Sequence, residues 1–361
     1  LLEIPMFKVN ILGKNKFTFE EIFNQYDYGD NQKYDFDLFV TDGFHLSQVG
    51  RSEPKLKHSD LKTNKLIIFN YDKLAPLKKE FFPIVDDFIN GTDIDCLVLT
   101  LHHLVNKEDL PKTFLYSSFD FFVFQVVEHY GKWNDNFKIW KDNFHYLKPR
   151  KFLSYNNVPH NHRIELKDFL EKNKYIKDGW FSYNPKDKDG INLDCIKGFG
   201  NHHFTEINLG LILTSYFSIL TETIFSDDDI PSVKLTNKVF MTMKSIHPFF
   251  IIGQSKTLEY LNQSGFKTFG KFWDEKYDTH FDHDERMKGV LSSIDDVLKL
   301  SNEEIHRRLY GDSWDGSINE GDWKKLFDIL EHNYNHLPIH ANNQKIKIMK
   351  KINNFMGREN D

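Results

Sequence analysis

The sequence predicts an α/β protein with two Rossmann-like domains that face an interdomain cleft, followed by C-terminal helices. The chain has 361 residues and 40% apolar content, which is enough for two cores of ordinary domain size. Short apolar runs alternate with segments of helical periodicity, as expected for parallel sheets with helical crossovers. We place the first domain at residues 1–145, the second at 146–340 and a basic terminal helix at 341–361.

Composition and charge narrow the classes of function. The formal net charge is -6 at pH 7, so the chain lacks the broad basic field that drives non-specific DNA binding. No apolar run reaches the roughly 18 to 20 residues of a membrane span, and no signal-peptide pattern is present. Cys96 and Cys195 are far apart and predict reduced thiols, which favours a cytoplasmic protein. The chain starts at Leu1 rather than Met, which leaves room for a removed targeting segment.

In the first half, apolar runs predict five buried parallel strands, and the intervening spacing predicts helices. The strands are Phe7–Leu12, Phe36–Val40, Leu66–Phe69, Cys96–Leu99 and Phe121–Val127, and the helical segments are Phe19–Phe23, Leu74–Phe88 and Lys107–Leu110. Only Gly13 follows the first strand, without the glycine-rich fingerprint of a dinucleotide site. We therefore expect no dinucleotide cofactor in this half.

Polar residues at the carboxyl ends of these strands are candidates for a general base, because open α/β sheets bind ligands at that edge. Asp42, beside the flexible Gly43, is the first choice, and Glu128 is the second. The pair His102-His103 lies at another such strand end. Turn formation or helix capping explains each of these residues equally simply.

The second half begins a new βα pattern and continues with helices to the C-terminus. Predicted strands are Lys151–Tyr155, Gly179–Tyr183, Tyr216–Leu220, Phe249–Ile252 and Phe266–Phe269. Predicted helices are His162–Lys172, Asn237–Ile246, Lys256–Ser264 with Ser255 as its cap, Glu285–Leu300, a helix opened by the capping box Ser301–Glu304, Asp322–Leu337 and Gln344–Met356.

One helix start in this half indicates an anion site. Thr236 can cap the helix that follows, which places Lys238 in the first turn. A lysine there opposes the helix dipole, so its position is better explained by an anion shared with the free N–H groups. The alternative is a solvated lysine on a helix surface.

The order of these motifs resembles the donor half of GT-B glycosyltransferases, most closely the α-1,3-fucosyltransferases and the glycosyltransferase-like proteins of bacteriophages. The resemblance is carried by three segments: Leu220-Thr221-Glu222-Thr223, Thr236-Asn237-Lys238 and His247-Pro248-Phe249-Phe250-Ile251-Ile252-Gly253. It extends from about Lys151 to Leu300 and leaves out the N-terminal half. It implies a GT-B arrangement, with a donor nucleotide held by the second domain and a terminal helix that packs back on the first.

The resemblance also assigns site residues. Arg163 matches an arginine that contacts the donor's phosphate at the start of the first helix of that half, and Lys238 would share this role. Glu222 and Asn237 would bind donor hydroxyls, although the family has Glu where this chain has Asn237. Asp274 and Glu275, in an acidic run that the phage proteins share, would bond sugar hydroxyls, or form a solvated turn.

The implied activity is transfer of a sugar from a nucleotide-sugar donor to a hydroxyl of a glycan or of a hydroxymethylated DNA base. The nucleotide sugar is a co-substrate, and no other cofactor is expected. The histidines lack zinc-site spacing, so no metal is expected either. If the chain is phage-encoded, it would act in the host cytoplasm. A GT-B-like protein that binds a glycan or protein partner without catalysis is the alternative, because of Asn237.

Overall fold

The protein is described from a computed structural model, which covers residues 7–12, 26–27, 34–41, 56–70, 81–105, 110–129, 136–144, 146–156, 158–183, 209–226, 231–311 and 323–358. The chain divides into two compact units. Unit 1 comprises Leu1–Phe121, Asp228–Lys234 and Ala341–Asp361, and unit 2 comprises Phe122–Asp227 and Leu235–His340. The sequence places its main division at residue 145, whereas this division falls after Phe121.

Unit 1 contains a six-stranded parallel sheet in the order β2-β1-β3-β4-β5-β7. Its elements are β1 (Phe7–Leu12), β2 (Tyr26–Asp27), β3 (Phe36–Thr41), β4 (Lys65–Asn70), α1 (Phe81–Ile89), β5 (Asp95–Thr100), β6 (His103–Leu104) and β7 (Leu115–Ser118), with a 3-10 turn at His58–Asp60. The central strands are continuous apolar runs because both faces of the sheet are buried. The predictions for β1, β3, β4 and β5 are confirmed.

The prediction of a strand at Phe121–Val127 is wrong, because this run lies in helix α2 (Phe121–His129). A short apolar run does not distinguish a buried strand from a buried helix by periodicity. The edge position in the sheet belongs instead to Leu115–Ser118, directly upstream, which pairs with β5. Its sequence, Leu-Tyr-Ser-Ser, is too polar to read as a buried strand.

Unit 2 contains a four-stranded parallel sheet in the order β12-β10-β8-β9. Its strands are β8 (Arg150–Asn156), β9 (Trp180–Tyr183), β10 (Ser215–Thr221) and β12 (Phe249–Ile252). The strand β11 (Ser232–Val233) belongs to unit 1, where it pairs antiparallel with β6. All seven residues of β10 are buried, so β10 is the strand around which this sheet is built. The predicted strands of this sheet are confirmed, each within two residues.

The second half also contains helices and 3-10 turns. They are α3 (Asn136–Asn143), α4 (Asn161–Lys172), a turn at Ile176–Asp178, α5 (Leu209–Leu213), α6 (Asn237–Lys244), α7 (Thr257–Gln263), a turn at Lys276–Thr279, α8 (His283–Leu298), α9 (Asn302–Tyr310) and α10 (Trp323–Phe355). The capping box of Ser301 and Glu304 at the start of α9 is confirmed.

Three local predictions for this half are wrong. Residues 266–269 form no strand, and the two predicted terminal helices are one helix, α10, with Pro338 inside it. Burial on both sides of the proline outweighs its intrinsic cost of about 3 kcal/mol. Ser255 does not cap α7; the carboxylate of Asp278 accepts from the N–H groups of Leu258 and Glu259, both at 3.0 Å, from outside the helix.

Candidate active site

The strand order of unit 2 points to one edge of its sheet. The chain leaves β8 for β9 on one side and later returns to β10 on the other side of β8. A topological switch point therefore lies between the carboxyl ends of β8 and β10, which is where open α/β sheets bind ligands. Asn156 and Thr221 are the last residues of these two strands.

Arg163, in the first turn of α4, reaches this edge from one side. Its guanidinium donates to the carbonyl oxygens of Val158 at 3.0 Å, Thr221 at 3.3 Å and Glu222 at 3.1 Å. The side chain is 4% exposed, and its Nε has no hydrogen-bond partner among the described residues. Burial lowers the pKa of Arg163, against the opposing effect of Glu222. The Nε is therefore a buried donor that the described residues leave unsatisfied.

Lys238 reaches the same point from α6. Thr236 caps this helix, as predicted: its side chain accepts from the N–H of Lys238. The Lys238 ammonium donates to the carbonyl of Thr221, so the two cationic side chains share one acceptor. Burial lowers the pKa of Lys238 to about 7, with a further contribution from the charge of Arg163, and Glu222 opposes both. Two cations brought this close predict that an anion binds beside them.

Glu222 holds the start of α6, the helix that carries Lys238. Its carboxylate is buried and accepts from the N–H of Thr236 at 3.2 Å and from the Thr236 hydroxyl at 2.6 Å. The glutamate thereby fixes the start of α6, which carries Lys238. Asn237, the first residue of that helix, is partly exposed. The role predicted for Glu222 was a bond to a donor hydroxyl, whereas its described contacts are with Thr236.

Buried polar side chains hold the two strand ends together below the cations. The Thr221 hydroxyl donates to the Asn156 side chain at 2.6 Å, and Asn156 donates to the Ser154 hydroxyl at 2.9 Å. The N–H of Asn156 donates to the Ser182 hydroxyl at 3.1 Å, which links in β9. Sequence reasoning missed this network, although its signal is visible as polar residues in the otherwise apolar strands β8, β9 and β10. It fixes the Thr221 carbonyl on which both cations converge.

An aromatic row lies beside the cations. The ring of His160, the residue before α4, stacks on the ring of His162 with centroids 5.8 Å apart, and His162 stacks on Phe225 at 5.4 Å. Burial lowers the pKa of His162 to about 3, so this ring is neutral. Burial also lowers the pKa of His160, helped by the charges of Arg163 and Lys238. Sequence reasoning assigned these histidines no role in the site.

The carboxylates of Asp274 and Glu275 accept hydrogen bonds from backbone N–H groups of nearby residues in the chain. The Glu275 carboxylate accepts from the N–H of Phe269 at 2.8 Å, and burial raises its pKa. The exposed Asp274 accepts from the N–H of Lys276 at 3.0 Å. These contacts fit the turn that the sequence left open as the alternative.

Arg286 is a site-supporting residue to which sequence reasoning gave no role. It is 1% exposed and donates to the carbonyls of Gly253 at 3.2 Å, His280 at 2.6 Å and Phe281 at 2.9 Å, and also to that of Phe225. Its guanidinium lies 4.5 Å from the centroid of the Phe225 ring. It thereby ties together the segments that follow β10 and β12.

The two candidate bases are not placed at this site. Asp42 lies outside the described residues. Glu128 belongs to α2 rather than to a strand end, and the position of its side chain is not described.

Among the described residues, no group of three or more His, Cys, Asp or Glu side chains is arranged to hold a metal ion. Cys96 is a buried free thiol whose pKa burial raises to about 12, and Cys195 lies outside the described residues.

Comparisons with known proteins leave the site to be interpreted from its own geometry. None of the helices in the described part of the chain is both long enough and apolar enough to cross a membrane. Neither the protein-family models, nor the curated proteins, nor the solved structures contain a match to this chain.

Proposed function

We propose that the protein is a glycosyltransferase of the GT-B type, in which unit 2 binds a nucleotide-sugar donor through its diphosphate. The observation that carries this proposal is the convergence of Arg163 and Lys238 on the Thr221 carbonyl at the switch point of the sheet. A diphosphate offers charged acceptors to the guanidinium of Arg163 and to the ammonium of Lys238.

The same arrangement suits the chemistry of sugar transfer. When the bond between the sugar and the diphosphate breaks, negative charge develops on the leaving phosphate. Fixed cations beside it stabilise this charge more in the transition state than in the ground state. A single charge-assisted hydrogen bond contributes roughly 1.5 to 3 kcal/mol. The acceptor hydroxyl, of a glycan or of a hydroxymethylated base in DNA, would lose its proton to a base, for which Asp42 and Glu128 remain predictions.

Binding of UDP- and GDP-sugars, measured by calorimetry, tests the proposal. Lys238→Ala should weaken binding at least tenfold, because it removes one charge-assisted contact. Lys172→Ala is the matched control, since Lys172 is an exposed lysine at the opposite end of α4, and it should leave the affinity unchanged. Equal affinities of wild type and Lys238→Ala, with both folded by circular dichroism, would remove the diphosphate from this site.

A second candidate, binding of a glycan or protein partner without catalysis, is favoured by one observation. Both oxygens of Glu222 are engaged by Thr236, and the neighbouring position is Asn237 rather than the acidic residue of the family. The site thus presents little acidic character to sugar hydroxyls. Hydrolysis of the bound nucleotide sugars separates the two candidates, because slow release of free sugar requires a catalytic site. Binding without any release would favour the second candidate.

A further inference from the structure

A hydrogen-bonded group of serine, histidine and aspartate lies in unit 1. The Ser118 Oγ is 3.0 Å from Nδ1 of His103, and Nε2 of His103 is 2.9 Å from a carboxylate oxygen of Asp120. These side chains are 5%, 7% and 2% exposed. Ser118 ends β7 and His103 follows β5, so the group lies at the carboxyl edge of the parallel sheet.

The hydrogen bonds are consistent with a relay from Ser118 to His103 when the Asp120 carboxylate is ionised. An ionised carboxylate only accepts, so Nε2 of His103 carries the proton that bonds Asp120. Nδ1 of the neutral ring is then an acceptor, and the Ser118 hydroxyl donates to it. This is the relation of nucleophile, base and orienting carboxylate that activates a serine, with the two ring nitrogens in exchanged roles.

The surroundings hold these three residues in place. The Tyr116 hydroxyl donates to the His102 carbonyl at 2.5 Å, which fixes the turn that carries His103. The ammonium of Lys347 donates to the Ser118 carbonyl at 2.8 Å. Lys347 is itself an exposed residue, so the end of β7 lies within reach of a surface side chain.

From this geometry we infer that unit 1 carries an esterase or acyl-transfer site in which Ser118 is the nucleophile, His103 the base and Asp120 a positioning residue. The Ser118 Oγ forms a bond to the carbonyl carbon of a carboxylic ester, and its proton passes to Nδ1 of His103. The ester C–O bond breaks, and the same proton leaves on the alcohol. Water then attacks the acyl-serine by the same proton route and releases the acid. This inference is independent of nucleotide-sugar binding.

Labelling with a fluorophosphonate probe, which phosphonylates activated serines with loss of fluoride, tests the site. The native protein should be modified once, with the label mapped to the peptide that contains Ser118, and denaturation in urea should abolish labelling. Ser118→Ala should lose the label, whereas Ser117→Ala, at the adjacent buried serine, should retain it. His103→Asn should slow labelling at least tenfold.

The role of Asp120 is tested by the labelling rate of folded variants, because a purely structural role would change the thermal stability rather than this rate. Asp120→Asn should slow labelling at least tenfold, and Asp120→Glu should restore part of the rate, with thermal unfolding followed in parallel for both. The inference is overturned if the native wild-type protein is not labelled at Ser118. It is also overturned if folded His103→Asn is labelled as fast as wild type. The rate of p-nitrophenyl acetate hydrolysis provides the corresponding turnover measurement. It should be lost in Ser118→Ala, fall at least tenfold in His103→Asn and Asp120→Asn, and be partly restored in Asp120→Glu.

Discussion

Binding of a diphosphate at the two cations should be coupled to proton uptake by Lys238. The pKa of this lysine is lowered to about 7 by burial and by Arg163, so at pH 8 only about a tenth of the free protein carries the proton. A bound diphosphate favours the charged form and raises the pKa towards the ordinary value. We therefore expect an uptake of about 0.9 proton per bound nucleotide sugar at pH 8, about 0.5 at pH 7, and close to zero at pH 5.5.

Calorimetry in buffers of different ionisation enthalpy measures this uptake directly. The slope of the observed enthalpy against the buffer's ionisation enthalpy gives the number of protons. A nucleotide sugar is the suitable ligand, because its diphosphate is fully ionised throughout this range. The affinity should also fall about tenfold per pH unit above 7, until the pKa of the complex is reached. Lys238→Arg keeps its charge at these pH values and should show no uptake.

In the unliganded protein, the lowered pKa of Lys238 should also change how the free energy of unfolding depends on pH. The folded pKa of Lys238 lies below the value of 10.5 expected in the unfolded chain, so the unfolded state binds more protons between about pH 7 and 10.5. The free energy of unfolding of wild type relative to Lys238→Met should therefore rise with pH across that window. Tight nucleotide-sugar binding with an uptake below about 0.2 proton at pH 8 would refute the assignment of Lys238 to the anion site.

Three further predictions concern the support of the site. Gly179→Ala should lower the free energy of unfolding by about 1 to 3 kcal/mol in chemical denaturation, because the new Cβ would lie 2.4 Å from the buried ring of Phe152; an unchanged midpoint would contradict this contact. Arg286→Lys should cost at least about 2 kcal/mol, since one ammonium cannot satisfy the carbonyls that the guanidinium serves, whereas the exposed Arg308→Lys should cost little. Asp278→Ala should cost about 1 kcal/mol through loss of the cap of α7, and a stability equal to wild type would show that the cap is dispensable.

The strands of the unit 2 sheet and the start of α6 are predicted well because their sequence signals are local and mutually consistent. Tyr216–Leu220 and Phe249–Ile252 are apolar, bounded by polar or turn residues, and lie where the structure has β10 and β12. The capping of α6 by Thr236 follows from a single residue type at the right place. For these elements, periodicity, capping and turn chemistry all indicate the same structure.

Elsewhere the secondary structure depends on contacts between residues that are far apart in the sequence, and no local sequence pattern predicts these contacts. The cap of α7 comes from Asp278, which lies 20 residues away from Leu258 in the sequence. The strand at Leu115–Ser118 is recognised only through its pairing with β5, since two of its four residues are serine. The continuation of α10 past Pro338 depends on burial on either side of it. Tertiary contacts thus outweigh local propensity at these places.

In the candidate site, too, the positions of the residues can be predicted from the sequence, whereas their hydrogen-bond partners cannot. That Arg163 and Lys238 follow strand ends could be predicted, because strand order and helix starts bring such residues to one edge. That Glu222 is engaged by Thr236, and that both cations bond the carbonyl of Thr221, depends on side-chain geometry. The Thr221 oxygen is a neutral acceptor between two charges, so it balances their repulsion only in part. An anion that takes over this bond exchanges a dipole for a full charge, and that gain is the physical reason to expect a ligand here.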